Sequence, residues 1–193
     1  MQTTKMKYLI VITLLFLLSS CTEYTPKPRG YVRIEPQKAQ YTSLPLTGLP
    51  YSFNVSNQTT IELAPEEDNV GWINIAYPSL GAKIYCSFFL VTPSTLSEAE
   101  DESRSFVLRQ AKRADMITEK EYTNRDERVY GTLFILDGES AAPIQFILTD
   151  SISRFFRGSL YYEMKTNADS LAPVTSYLLE DVRELMQSFS WKD

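Results

Sequence analysis

The stretch Val129-Tyr130-Gly131-Thr132-Leu133-Phe134-Ile135-Leu136, then Asp137-Gly138-Glu139-Ser140, then Ile144-Gln145-Phe146-Ile147-Leu148 sets the character of the fold. Both flanks are short, rich in β-branched and aromatic residues, and bounded by turn formers, which is the composition of strands. Asp-Gly is a strong turn signal, so the stretch predicts an antiparallel hairpin, or a slightly longer connection, in the middle of a sheet. Similar short apolar runs predict strands at about 31–34, 51–55, 59–63, 70–76 and 82–91. The later ones fall at about 128–136, 143–149 and 155–164.

Two segments carry helical periodicity instead. The first spans about 96–114, where Thr95 and Glu98 fit a capping box. Glu98, Glu100, Asp101 and Glu102 crowd its beginning and Arg109, Lys112 and Arg113 its end, which complements the helix dipole. Leu96, Ala99, Phe106, Val107, Gln110, Ala111 and Ala114 fall near one face. The acids therefore read as a solvated face, and an acidic metal site is the weaker reading. The second helix spans about 171–189, with Asp169 or Ser170 as its cap and Pro173 placed in the first turn. Its stripe of Leu171, Val174, Leu178, Val182, Leu185 and Phe189 is a core face. This order of elements predicts an α+β single domain, a mainly antiparallel sheet packed by two helices.

The chain has 193 residues, 44% hydrophobic, enough for one compact domain. Its net charge is −5, and removing Lys5 and Lys7 with residues 1–20 leaves −7. Such a domain has no electrostatic footprint for nucleic acid and does not bind anionic lipid by charge. There is no histidine, which excludes Ser-His-Asp and Cys-His nucleophiles and all His-based zinc sites. Nothing in the composition asks for a cofactor or a metal.

The N-terminus reads as an export signal. Two lysines precede the eleven residues Tyr8–Leu18, too short to span a bilayer and suited to a signal-peptide core. Leu18-Ser19-Ser20-Cys21 resembles a bacterial lipobox, with cleavage between Ser20 and Cys21 and lipidation at the Cys21 sulfur. Two or three acyl chains of the palmitate class, at about 0.8 kcal/mol per buried CH₂, hold a protein on a bilayer almost permanently. Thr22 follows the cysteine rather than an aspartate, which favours the outer membrane facing the periplasm. Residues 21–30, with Pro26 and Pro28, form an extended tether, and 31–193 the single globular domain. With Cys21 acylated, Cys86 has no disulfide partner and reads as a small buried apolar residue.

Several blocks together resemble one family. Pro26-Lys27-Pro28-Arg29-Gly30-Tyr31 and Leu49-Pro50-Tyr51-Ser52-Phe53 are similar to the start of the gliding motility lipoprotein GldD family. Gln145-Phe146, Thr149-Asp150-Ser151 and Phe155-Phe156-Arg157-Gly158-Ser159-Leu160-Tyr161-Tyr162 resemble its central signature. Asn167 to Val174 and Phe189-Ser190-Trp191-Lys192 extend the likeness across the mature chain. The resemblance implies a non-catalytic accessory lipoprotein of the gliding and type IX secretion machinery, with envelope motility and secretion proteins as partners. Family members often carry histidines near Gln110 and Arg154 and a cysteine where Leu49 stands; this sequence has none of them. No metal, proton-transfer or thiol role carries over to those positions.

The candidate partner-contact residues are Arg29, Arg33, Asp150, Arg154 and Arg157. Arg154 and Arg157 lie an odd number of positions apart, so a regular strand turns them to opposite faces. The plainer reading is that Asp150 caps a turn while one arginine makes a surface ion pair. Asp150-Ser151-Ile152 and Asp169-Ser170-Leu171 match a short O-glycosylation acceptor pattern at Ser151 and Ser170. Gly158 in a strand suggests a bulge or the close approach of another backbone, and Trp72 and Trp191 suggest core positions with a polar edge to satisfy. Two other functions compete. One is an envelope hydrolase using a carboxylate pair, Asp150 with Glu163 or Asp169; the other is a ligand- or lipid-binding module with an apolar cavity.

Overall fold

The computed structural model describes residues 38–64, 70–163 and 168–192. The predicted leader, tether and strand at 31–34 lie outside them. Eleven strands and two helices follow in order: β1 (Tyr41–Ser43), β2 (Tyr51–Ser52), β3 (Asn54–Ser56), β4 (Thr60–Leu63), β5 (Ile73–Tyr77), β6 (Ala82–Leu90), α1 (Pro93–Gln110), β7 (Arg113–Asn124), β8 (Val129–Glu139), β9 (Ile144–Thr149), β10 (Arg154–Tyr162), α2 (Ala168–Gln187) and β11 (Ser190–Trp191). The main sheet has seven strands in the order β4-β5-β6-β10-β9-β8-β7, every neighbouring pair antiparallel. It is the mainly antiparallel α+β single domain that the sequence predicts. Two short ribbons, β1 with β3 and β2 with β11, complete it.

β10 is the middle strand, and its pleat divides the molecule. Phe156, Gly158 and Leu160 point to one face, where α2 lays Val174, Leu178, Val182 and Leu185 over Ile84, Phe146 and Leu148 in a large core. The ribbons close that face. Tyr51, Phe53 and Phe189 gather around Phe156 with ring centroids 4.6, 6.0 and 5.2 Å away. The buried Tyr51 hydroxyl donates to the Gly71 carbonyl at 2.6 Å. Asn54 ties β3 to the end of α2, its N–H donating to Ser188 Oγ at 2.8 Å and its Nδ2 to Glu184 Oε1 at 2.9 Å. Tyr41 donates to the buried Asp181 at 2.7 Å, and burial pushes the Asp181 carboxyl up from its ordinary value. The opposite face carries α1 over a much smaller cluster of Val107, Phe134, Leu136, Ile147 and Phe155.

Several boundaries depart from the sequence expectation. Thr92, not Thr95, caps α1: Thr95 N–H donates to Thr92 Oγ1 at 3.3 Å, Thr92 N–H donates to Thr95 Oγ1 at 2.8 Å, and Pro93 takes the first turn. The helix therefore starts earlier and ends at Gln110, so no acid lies in its first turn and only Arg109 is basic in its last. Lys112 and Arg113 fall beyond it, and Ala114 belongs to β7. α2 likewise begins earlier, which puts Asp169 and Ser170 inside it and Pro173 past its first turn, where Pro cannot donate to the Asp169 carbonyl. The run 51–55 breaks at Phe53 into β2 and β3, which pair with different partners. β8 continues through Asp137-Gly138 to Glu139, so its link to β9 is the longer connection at 140–143. Gly138, at φ +90°, lies opposite the irregularity in β7 between Ala114 and Met116.

The tryptophan expectation is met in part. Nε1 of Trp72 donates to the Phe88 carbonyl at 2.8 Å and that of Trp191 to Arg128 at 3.2 Å, but both rings are only half-buried. Cys86 is buried, and burial pushes its thiol well up. Gly158 is neither a bulge nor a backbone contact: it pairs regularly with Cys86 and Phe146, and a Cβ there would stand 2.3 Å from the Phe146 ring. Gly158→Ala must displace that fully buried ring, and should cost about 1–3 kcal/mol through overpacking. Urea unfolding of the detergent-solubilised protein checks this, the expected result being a lower midpoint at unchanged slope.

Candidate functional site

Because β10 buries Phe156, Gly158 and Leu160, its alternate residues Arg157, Ser159 and Tyr161 face α1. Antiparallel register sets their neighbours. Arg157 lies between Ser87 of β6 and Ile147 of β9, and Ser159 lies between Tyr85 and Gln145. Directly opposed residues on one face approach within about 5 Å at Cβ, so these two rows make a polar floor across the three central strands. α1 crosses only part of it. Between helix and floor lies a cleft of about 300 Å³, with Ser103, Phe106 and Val107 on its helical wall and Phe134 behind.

The polar groups of this cleft are largely uncommitted. Ser103 is 5% exposed, and its hydroxyl finds no hydrogen-bond partner among the described residues. It takes an inward helical position four residues after Ala99 and four before Val107, where an apolar side chain would ordinarily pack. Gln145 is buried and donates from Nε2 to the Ala142 carbonyl at 3.3 Å. The Arg157 guanidinium stacks on Phe89, 5.3 Å from the ring centroid, and no carboxylate among the described residues pairs with it. Tyr85 and Tyr161 stand edge to face at the rim, centroids 5.6 Å apart. Burial raises the Tyr161 phenol pKa, Tyr85 adds to the shift, and Arg157 opposes it. Past Tyr161 the surface opens into a second hollow, about 510 Å³, that holds Arg109, Lys112 and Arg113. Arg113 is paired there with Glu139 at 3.0 Å.

The predicted site residues do not form one cluster. Ser20, Cys21, Arg29 and Arg33 lie outside the described residues. Asp150 holds the β9–β10 corner: one carboxylate oxygen accepts from the N–H groups of Ile152, Ser153 and Arg154 at 2.9, 2.7 and 3.0 Å, and the other from Ser153 Oγ at 3.2 Å. Arg154 and Arg157 fall on opposite faces of an unbulged strand. Ser151 is exposed at that corner with φ +64°, and Ser170 is half-buried in the first turn of α2. The carboxylates named for a hydrolytic pair do not come together. Asp150 precedes β10 and Glu163 follows it, so the nine residues of β10, roughly 30 Å of strand, lie between them. Asp169 lies beside Tyr162, also at the far end. Among the described residues no group of three or more Cys, Asp or Glu gathers to hold a metal ion, and no helix is long and apolar enough to cross a membrane.

Sequence reasoning passed over Ser103, Ser87, Ser159 and Gln145. Their signal is the alternation in Phe155 to Tyr162: a central strand, apolar at every second position, carries Arg, Ser and Tyr at the others.

Burial alone would raise the Asp150 pKa, but the donors around it outweigh that and hold the carboxyl below its ordinary value. A lowered folded-state pKa means stabilisation present above the unfolded carboxylate value and lost as pH falls through the folded one. Asp150→Ala should cost about 2 kcal/mol at neutral pH. Asp150→Asn, which keeps one acceptor, should cost less. Unfolding midpoints of the wild type and the alanine variant should converge as pH drops below the ordinary carboxylate range, which denaturation across an acid series would reveal.

The comparisons with known proteins now bear on this geometry. No curated protein matches the chain. A family model, described as gliding motility lipoprotein GldD, matches residues 21–191 and so takes in every element of the fold and the cleft. The match covers nearly the whole chain: the protein belongs to the gliding motility lipoprotein GldD family.

Proposed function

We propose that this lipoprotein works as a non-catalytic accessory component of the machinery of gliding and the associated type IX protein secretion. In this reading the acyl chains on Cys21 hold it at the outer membrane, facing the periplasm. The observation that carries the proposal is the family match, whose first residue is Cys21, the residue that signal cleavage after Ser20 would expose. Residues 21–30 then serve as the tether and the folded domain as the working part. An acidic mature chain attached this way depends on lipid, not on charge, for its membrane residence.

The non-catalytic part of the reading draws on the chemistry of the domain. Without histidine, hydrolysis would rest on a carboxylate pair or a Ser-Lys dyad, and the carboxylates named for such a pair, Asp150 and Glu163, are pulled apart by the length of β10. The cleft mixes apolar walls with the Ser103, Gln145 and Arg157 side chains. This favours contact with a polar ligand or partner over a lipid-carrying role, which calls for an apolar interior.

Cys21→Ser separates these claims. The variant should accumulate as an uncleaved, unacylated precursor, seen as a heavier band and a larger intact mass. Gene deletion should abolish surface spreading or impair export of secreted cargo, and the Cys21→Ser allele should fail to restore it. Normal acylation of the variant would refute the anchor, and intact motility and secretion in the deletion strain would refute the role.

A further inference from the structure

We propose that the cleft beneath α1 binds an acidic sugar, its carboxylate on the Arg157 guanidinium and its ring against Tyr85 and Tyr161. The inference goes beyond the accessory role and does not depend on it. Three independent features converge.

First, the cleft contains a buried hydroxyl left unbonded by the described residues. Ser103 Oγ is sequestered on the wall of the cleft without a hydrogen-bond partner among them. A buried polar group left unpaired costs about 1–3 kcal/mol, so a fold that places one beside a cleft is suited to a ligand that completes it. Second, the floor presents several hydroxyl and amide groups on one face. Ser87 and Ser159 lie on adjacent strands in neighbouring rows, with Gln145 beside Ser159. Serine hydroxyls donate and accept at once, as sugar hydroxyls do. A fatty acyl chain would strand all of these groups, and a bare inorganic anion would leave most of them unused.

Third, the charge is local and opposite to that of the whole protein. Arg157 carries a positive charge that no carboxylate among the described residues pairs with, in a chain of net charge −5, and its planar fork suits a carboxylate held bidentately. Glu102 also lines the cleft but is exposed to solvent. Beyond Tyr161, Arg109 and Lys112 continue the positive lining, so a longer acidic glycan could leave the cleft along them. Arg109 stacks on Phe106, which itself lines the cleft, its guanidinium carbon 5.6 Å from that ring's centroid. The cleft volume of about 300 Å³ lies at the small end of ligand sites, the size for one or two sugar rings.

Calorimetric titration of the full-length acylated protein in detergent tests the assignment. The probes are glucuronate, a tetrasaccharide alternating uronic acid with N-acetylhexosamine, neutral maltotetraose and inorganic phosphate. The expected result is saturable binding of the acidic sugars, at least ten-fold tighter than maltotetraose or phosphate. Arg157→Gln should weaken it by ten-fold or more. Ser103→Ala should weaken it at least three-fold while holding or raising the melting temperature, a combination that a merely structural serine would not give. A tetrasaccharide at least ten-fold tighter than glucuronate identifies a glycan chain end as the occupant; equal affinities identify the single sugar, and either result keeps the site. No heat from the acidic sugars, equal binding of maltotetraose or phosphate, or indifference to both substitutions overturns the proposal, and none of these results touches the motility and secretion reading.

Discussion

Phe156 is the side chain on which the rest of the structure depends. It sits fully buried in the middle strand of the sheet, and four other rings meet it: Tyr51, Phe53, Phe146 and Phe189. These residues come from β2 and the break after it, the neighbouring strand β9 and the segment after α2, so one cluster joins the early strands of the folded domain to its end. Burying one such ring is worth about 1.5–3 kcal/mol, and offset and edge-on aromatic pairs add to it. Gly158 next along that face gives the Phe146 ring its room. Once Phe156 is committed inward, the pleat commits Arg157, Ser159 and Tyr161 to the other side.

The two faces of the sheet are consequently unequal. One is sealed by α2 and both ribbons over an extensive apolar core, with Tyr41 and Asn54 pinning the β1–β3 ribbon to α2 and Ser188 just after it. The other holds α1 by a handful of apolar residues clustered toward β8 and β9. α1 connects β6 in the sheet interior to β7 at its edge, and it leaves part of the floor beneath it uncovered. The sealed face holds most of the buried apolar side chains; the half-covered one leaves polar side chains open to solvent.

Much of this was legible in the sequence, and the failures have physical causes. The eight strands predicted from apolar runs include every central one, because a strand buried on at least one face must spell out its apolar residues. β7 was hidden: as an edge strand it reads Arg113-Ala-Asp-Met-Ile-Thr-Glu-Lys-Glu-Tyr-Thr-Asn, with charges where a central strand would be apolar. β1, β2 and β11 span only two or three residues each, too few for any periodicity. The first helix was set too late because Thr95-Glu98 and Thr92-Thr95 both resemble a capping box, and only Pro93 tips the balance to the earlier one. The Asp137-Gly138 turn signal was real conformationally, since Gly138 does take positive φ, but the strand absorbed it opposite an irregularity in β7. The cleft escaped notice because no single motif encodes it. Ser103, Ser87 and Ser159 are ordinary residues until the register brings them to one face.

Cys86 and Ser87 are neighbours in β6 that face opposite sides of the sheet, so thiol labelling reads the inequality of the two faces directly. The proposed acylation of Cys21 leaves Cys86 as the free thiol of the mature protein, and maleimide should leave it unmodified until denaturant is added. Ser87→Cys should react readily under the same native conditions. Labelling of Cys86 in the folded protein, or an inert Ser87→Cys, would contradict a sheet sealed on one face and open on the other.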